Sequence, residues 1–569
     1  MKRLLLLSTL FALLGGAAPV RAQTNNHGEG FTHTDTLRGS IGPYRAWWDV
    51  THYDISVKPD FAGKSIQGTT FIAFRATSAG QRMQIDLQQP LTIRSMTFST
   101  PSGAADVFWK REGNVAWVDL PASMAAGSIG TLAIQYGGIP REAVNPPWDG
   151  GWIWKTDEKG NPWMSLACQG LGASVWYPCK DTQSDEPDSA SLHITVPDSL
   201  QAVGNGRLRS TVKNADGTTT WNWAVVSPIN NYDIVPSIGK YAHWHEVYPG
   251  VDGPLDLDYW VLAYNEAQAR EHFKQVPLML KCFEDWFGPY PWYKDGYKLV
   301  ETGHLGMEHQ SAIAYGNHFK NGYLGRDLSH TGVGLGWDFI IVHESAHEWW
   351  GNNLTDQDVA DMWIHESFAN YAENLYEECL AGKAKGAEYV TGTRKNIRND
   401  EPILGTFGVN HEGSGDVYYK GGNMLHTIRQ VIDDDEKWRG ILRGLQHTFW
   451  HQVVTGAQVR QYISDHAGID LSRVFVQYLE TTKVPTLEYR VGHDTLTYHW
   501  ADVVPGFAMP VRVTLADSTY AWIHPTEAWQ SVPVHLGTSA FRVDENFYVL
   551  ARDLNAPPPA AKDSATGKP

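Results

Sequence analysis

Two hydrophobic periods divide this chain. From about Trp47 to Val251 apolar and polar residues alternate, as in Asp54-Ile55-Ser56-Val57, Gln84-Ile85-Asp86-Leu87 and Leu192-His193-Ile194-Thr195-Val196. Turn clusters such as Asn214-Ala215-Asp216-Gly217 separate these runs. Period two bounded by turns predicts strands, and hence an N-terminal β-domain over residues 45–253. From about Leu255 the period lengthens to that of a helix. Asn265 is placed as an N-cap for a helix over Glu266 to Phe287, stopped by Gly288-Pro289, with Pro277 kinking it or splitting it in two. Helical segments continue through Met424–Ile432 and Val474–Leu479, so residues 254–485 read as a mostly helical domain. Beyond Pro485 alternation returns in Leu487, Tyr489, Val491 and in Leu496, Tyr498, Trp500. Gly492-His493-Asp494 forms the turn of a hairpin, and residues 486–554 read as a small β-sandwich. Residues 23–44 are a polar, glycine-rich lead-in, and residues 555–569, with Pro557-Pro558-Pro559, read as a disordered tail. The fold class expected is multidomain α+β.

The first 22 residues change the picture of where the chain works. Lys2 and Arg3 precede an apolar run from Leu4 to Leu14, and small residues end in Val20-Arg21-Ala22. This predicts a secretory signal peptide cut near Ala22, because the run is too short to span a bilayer. The mature chain is expected to be exported, periplasmic or secreted, with no membrane span. Loss of Lys2, Arg3 and Arg21 takes the net charge from −17 to −20, which argues against nucleic acid as a partner. The 24 tryptophans and 25 tyrosines suit core and groove positions better than a glycan-binding face. Four cysteines are too few for a disulfide scaffold. Export permits bridges, and Cys168 with Cys179 is one candidate pair.

Candidate chemistry concentrates in residues 343–366. His343-Glu344-Ser345-Ala346-His347 spells H-E-x-x-H, and eighteen residues later stands Glu366. Positions i and i+4 share one helix face, so both imidazoles can reach one metal ion. Glu344 lies about 100° round the helix, close to that ion without ligating it. The apolar run Phe339-Ile340-Ile341-Val342 leads into this helix, and Gly351-Asn352-Asn353 is expected to stop it. A second helix over about Met362 to Leu380 would carry Glu366 in its first turn. Two histidines, one carboxylate and an open fourth position are the catalytic zinc pattern. Five residues recur by chance, so H-E-x-x-H alone would also fit a surface helix that happens to hold two histidines.

The flanking residues resemble a known family. His347-Glu348-Trp349-Trp350-Gly351-Asn352-Asn353-Leu354-Thr355 and Met362-Trp363-Ile364-His365-Glu366-Ser367-Phe368-Ala369 resemble the paired motifs of the M1 zinc aminopeptidases, with the same eighteen-residue gap. Leu305-Gly306-Met307-Glu308-His309 resembles the family's G-x-M-E-N box, and Tyr418-Tyr419-Lys420-Gly421 its Y-x-K-G element. Cys168-Gln169 and Tyr177-Pro178-Cys179-Lys180-Asp181 resemble a segment of the leukotriene A4 hydrolase branch. The likeness covers roughly residues 45–485. Leu305 departs from the usual glycine, His309 and His365 from usual asparagines, and Ser367 from a usual glycine. The large helical C-terminal domain of many members is not expected in the residues after 485.

This resemblance implies a thermolysin-like catalytic domain with one Zn2+ held by His343, His347 and Glu366. Glu344 would be the general base toward a zinc-activated water, and Tyr418 the donor to the oxyanion, with Tyr419 as the alternative. Glu308 and Gln169, with Gly306 and Met307, would bind the substrate's free N-terminus. It also implies that Cys168 and Cys179 are unpaired thiols. His309 and His365 flank site residues and read as hydrogen-bonding replacements for asparagine, with a second metal site as the alternative. The function expected is an exported zinc aminopeptidase acting on peptides with a free N-terminus. A zinc endopeptidase on the same scaffold is one rival, weakened by Glu308 and Gln169, since an endopeptidase has no ammonium to hold. A non-catalytic zinc-binding interaction protein is another, weakened by the complete set of ligands and base. Epoxide hydrolysis is a third, with nothing in the chain that suggests a lipid.

Overall fold

The structure is a computed structural model that describes residues 30–517, 519–537 and 540–556. The expected signal peptide and all but the first two residues of the expected tail lie outside the described residues. Within the lead-in, His33–Gly39 forms a helix that the sequence reading did not place. Its cause is local: Thr32 and Asp35 make reciprocal side chain-to-backbone bonds that satisfy the first free N–H groups.

The alternating segments fold as strands. Trp48–Asp60 sits centrally in an eight-stranded sheet, antiparallel to Ser65–Ala76 and parallel to Ala190–Pro197. Ile55, Val57, Ile72, Phe74, Ile194 and Val196 are buried on its inner face. A four-stranded sheet orders 201–203, 237–239, Pro162–Ala167 and Gly151–Thr156. Its strand Pro162–Ala167 ends immediately before Cys168-Gln169, which delivers Gln169 to the edge of the β-region.

The expected change of structure at residue 253/254 falls inside a hairpin, Tyr241–Gly250 paired with Gly253–Leu262. Both strands belong to a five-stranded sheet with Tyr297–Glu301, Ile313–Tyr315 and Gly306–Met307. Hydrophobic packing explains this placement: Trp244, Tyr248, Leu255 and Leu257 share a core with Val276, Met279 and Phe283 of the helix that follows. Gly306–Met307 is the outer strand of that sheet, pairing among the described residues only with Ile313–Tyr315.

Pro277 does split the predicted helix. Glu266–His272 and Gln275–Phe287 are separate, and Pro277 lies in the first turn of the second, where its missing N–H costs nothing. Asn265 is no side-chain cap. Its Nδ2 donates instead to Glu301 Oε1 at 2.7 Å, a tertiary contact that outcompetes the local one. Trp363–Ala381 is buried on every side from Trp363 to Glu377. Of the polar side chains it buries, Ser367 and Glu373 are paired, whereas Asn374 finds no hydrogen-bond partner among the described residues. Cys379 near its end forms a disulfide with Cys282, a pairing the sequence reading did not foresee. Cys168 and Cys179 are free and buried.

At the C-terminus, Thr486–Val491 and Thr495–Ala501 form the expected hairpin inside a four-stranded sheet with 530–533 and 550–553. Val511–Ala516 pairs with Thr519–Ile523 beside it. Leu487, Leu496, Val511 and Ile523 join the core of the helical region. The architecture is thus a β-rich N-terminal part, a helical central part and C-terminal strands.

Candidate metal centre

The helix Phe339–Ala346 is fixed at its start by Asp338. One carboxylate oxygen accepts from the backbone N–H groups of Ile340 and Ile341, and the same side chain accepts from Tyr315 Oη, Asn317 Nδ2 and His272. Such a cap is worth about 0.5–2 kcal/mol and also sets the rotation of the helix. The helix ends at Ala346, earlier than the Gly351 stop expected. His347 is its C-cap residue with φ −63° and ψ −21°, so it keeps the i+4 placement relative to His343. The following turn brings the Trp350 carbonyl back onto the His347 ring.

Three ligand atoms converge. His343 Nε2 lies 3.4 Å from His347 Nε2 and 3.4 Å from Glu366 Oε2, and His347 Nε2 lies 3.5 Å from Glu366 Oε2. Ligands at about 2.05 Å from a tetrahedral centre stand about 3.3 Å apart. The far side of each ring is occupied by an acceptor. His343 Nδ1 donates to Glu373 Oε1 at 2.8 Å, and His347 Nδ1 donates to the Trp350 carbonyl at 2.9 Å. Those bonds assign the proton to Nδ1 and leave both Nε2 lone pairs aimed at a carboxylate oxygen that has no hydrogen-bond partner. Converging lone pairs in a buried site repel one another unless a cation sits among them. The donor set of two imidazoles and one carboxylate fits zinc.

Glu344 projects from the same helix toward Gly306. A Cβ on Gly306 would lie 2.5 Å from Glu344 Oε1, so only glycine lets this edge strand approach so closely. Burial pushes the Glu344 carboxyl up to about 8. The Glu308 charge pushes the same way, and His343 and His347 oppose it. A divalent cation beside Glu344 would draw it back toward neutrality, where a general base works best.

Glu308 and Gln169 arrive from different sheets and touch: Gln169 Nε2 donates to Glu308 Oε1. Tyr232 Oη donates to the same oxygen at 3.2 Å, and Asn352 Nδ2 holds the Glu308 carbonyl at 2.9 Å. Glu308 is buried, and Glu308, Glu344 and His347 form a second convergent group of potential ligand atoms. Met307 is buried beside it on the edge strand.

Tyr418 places its ring 5.9 Å from that of His343. Burial pushes its phenol far above the usual value, and the charges of Glu366, Glu412 and Glu308 push the same way, so it stays a donor. Tyr419 begins the next helix, and the charges that act on its phenol are those of Glu373, Tyr323 and Arg326. Ser367, in place of a usual glycine, donates to the Val417 carbonyl at 2.7 Å and occupies the space that the missing Cβ of Gly421 leaves. It therefore ties the Glu366 helix to the Tyr418 turn. His365 accepts from the Asp356 N–H at 3.0 Å, as a hydrogen-bonding replacement should. His309 does not behave so: it is buried and neither ring nitrogen has a partner among the described residues. Burial holds it neutral.

Sequence reading missed Glu373 and Tyr232. Glu373 carried a usable signal, because it stands seven residues after Glu366 and so faces the same side of one helix.

Residues 272–478 match the peptidase family M1 domain, and residues 50–232 match the peptidase M1 N-terminal domain. The chain is 22% identical over 442 residues to leukotriene A-4 hydrolase of Xenopus laevis, covering 73% of this chain and 68% of that one. It is 24% identical over 318 residues to aminopeptidase N of Lactococcus lactis, covering 52% and 32%. The chain thus spans between about a third and two thirds of these two relatives. A mutant M1 zinc metallopeptidase of Deinococcus radiodurans, bound to a Tyr-Ser-Ala substrate, shares the fold with a TM-score of 0.62 and 21% identity, over 78% of this chain and 97% of that one.

Proposed function

We propose that this chain, which belongs to peptidase family M1, is an exported zinc aminopeptidase that releases single residues from the free N-termini of peptides. The observation that carries the reading is the Glu308–Gln169 contact beside the three convergent zinc ligands. A buried carboxylate and an amide oxygen next to the reacting centre suit a protonated amine, and an internal peptide bond offers none.

Zinc, held by His343, His347 and Glu366, supplies Lewis-acid polarisation of a water and of the scissile carbonyl when bound. Glu308 and Gln169 hold the ammonium, which fixes the first peptide bond against Glu344 and excludes later ones. Glu344 accepts the proton of the attacking water and hands it to the leaving amine. Tyr418 Oη donates to the oxygen of the scissile carbonyl as negative charge builds on it. The Gly306–Met307 edge strand offers free backbone groups along which an extended peptide can lie.

Export has two supports. One is the charged and apolar leader before Ala22. The other is the Cys282–Cys379 disulfide, which an oxidising compartment preserves. Among the described residues, no helix is long and apolar enough to cross a membrane.

A panel of aminoacyl aminomethylcoumarin amides, with and without a zinc chelator, tests the reading. Release from free-amine substrates that the chelator abolishes and added zinc restores is expected. Equal release with the chelator present, or none from any free-amine substrate, would reject it.

A further inference from the structure

Resting on the aminopeptidase reading and adding its substrate class, we infer that Glu412 makes this chain select peptides whose first residue carries a cationic side chain, lysine or arginine. Glu412 belongs to no motif. The loop that carries it lies over the turn that follows Gln169, and three contacts hold it there. Asn410 Nδ2 donates to the Gly170 carbonyl at 2.8 Å, the backbone at Val409 and Asn410 packs on Gly39, and the Phe31 ring meets the His411 ring at 5.4 Å. The loop is therefore pinned from both the β-region and the lead-in helix.

Its carboxylate borders the ammonium site. A Cβ built on Gly170 would lie 2.7 Å from Glu412 Oε1, and Gly170 follows directly on Gln169. Gly170 has φ +61°, and its missing side chain gives the Glu412 carboxylate room against this turn. The ammonium and the side chain of a peptide's first residue branch from one carbon. With the ammonium on Glu308 and Gln169, a long side chain passing Gly170 meets Glu412.

Glu412 has no cation of its own. It is exposed to solvent, yet makes no hydrogen bond or ion pair among the described residues. Arg38 acts on it from a distance but is engaged with Asp181, donating to its carbonyl at 2.9 Å. Protein surrounds Glu412 closely enough that desolvation, then the charges of Glu366 and Glu308, push its carboxyl up to about 7. An isolated surface carboxylate would feel neither effect. A substrate guanidinium or ammonium placed there relieves the mutual repulsion of Glu412, Glu308 and Glu366, and an acidic side chain adds to it.

Isosteric pairs test this without changing substrate shape. The values of kcat/KM for arginyl against citrullinyl amides, and lysyl against norleucyl amides, are measured for the wild type and for Glu412→Gln. Roughly tenfold or greater preference for the charged member is expected in the wild type. In Glu412→Gln the ratio should fall to near one, mainly through KM. Because the ratio is taken within one preparation, loss of folded protein does not affect it. A wild-type ratio near one, or a ratio that survives Glu412→Gln, overturns the inference while neutral substrates still report an aminopeptidase. No release from any free-amine substrate overturns both this inference and the reading it rests on.

Discussion

Glu373→Gln should loosen zinc without touching a zinc ligand. Glu373 is fully buried and accepts from three side chains: His343 Nδ1 at 2.8 Å, Tyr389 Oη at 2.7 Å and Asn370 Nδ2 at 3.1 and 3.2 Å. Two of these, from His343 and Tyr389, go to different carboxylate oxygens. Glutamine keeps only one acceptor oxygen, so one of the two donors must face an NH2 group. If that donor is His343, the ring loses the bond that keeps its proton on Nδ1 and its lone pair on Nε2. Replacing such an outer partner costs about 10–100-fold in metal affinity, or about 1.4–2.8 kcal/mol. Competition with a chromogenic chelator measures the affinity directly, and a cooperative melt of the zinc-loaded variant shows that it folds. A folded Glu373→Gln protein that holds zinc within about twofold of the wild type would refute the claim that Glu373 sets the tautomer of His343.

Three further outcomes follow from the same geometry. His347→Ala should lose both bound zinc and activity, whereas Glu344→Gln should keep zinc and lose activity, since it removes a proton acceptor and no ligand; elemental analysis with a rate assay distinguishes them. Tyr418→Phe should lower kcat by roughly 10²–10³-fold with KM little changed, and Tyr419→Phe should not; the reverse pattern would move the oxyanion donor by one residue. Replacing Cys282 and Cys379 together by alanine opens a loop of 97 residues and should cost about 2–4 kcal/mol of unfolding free energy in a denaturant titration, and an unchanged midpoint would contradict a formed bridge.

The parts of the site that lie close together in sequence were legible. His343, Glu344 and His347 share one helical turn, and Asp54–Val57 or Leu192–Val196 declare their faces by alternation. Glu366 was legible from its spacing and its place in the first turn of a second helix. Glu308 and Tyr418 were legible only because their neighbours resemble a family's motifs, since spacing alone does not bring a loop glutamate to a zinc helix. Contacts between distant segments left no such trace. Cys282 and Cys379 meet because two helices pack, and no local pattern specifies that. Asn265 reads as a cap until Glu301 is placed beside it. The end of the zinc helix was misread for a related reason: the Trp350 carbonyl turns back to hold His347, so the backbone leaves the helix before Gly351. His309 looked like a hydrogen-bonding replacement in sequence, and its fully buried ring finds no partner among the described residues.

The central claim is that a free amine is held by Glu308 and Gln169 so that only the first peptide bond is cut. Mass spectrometry of one decapeptide and its N-acetylated form, each digested by the zinc-loaded protein, tests it most directly. Acetylation removes the charge and most of the donors that those two side chains receive, at a cost of about 1.5–3 kcal/mol or more. The account predicts a ladder of products shortened one residue at a time from the free peptide and none from the acetylated one. Internal cleavage of both peptides at similar rates would contradict it.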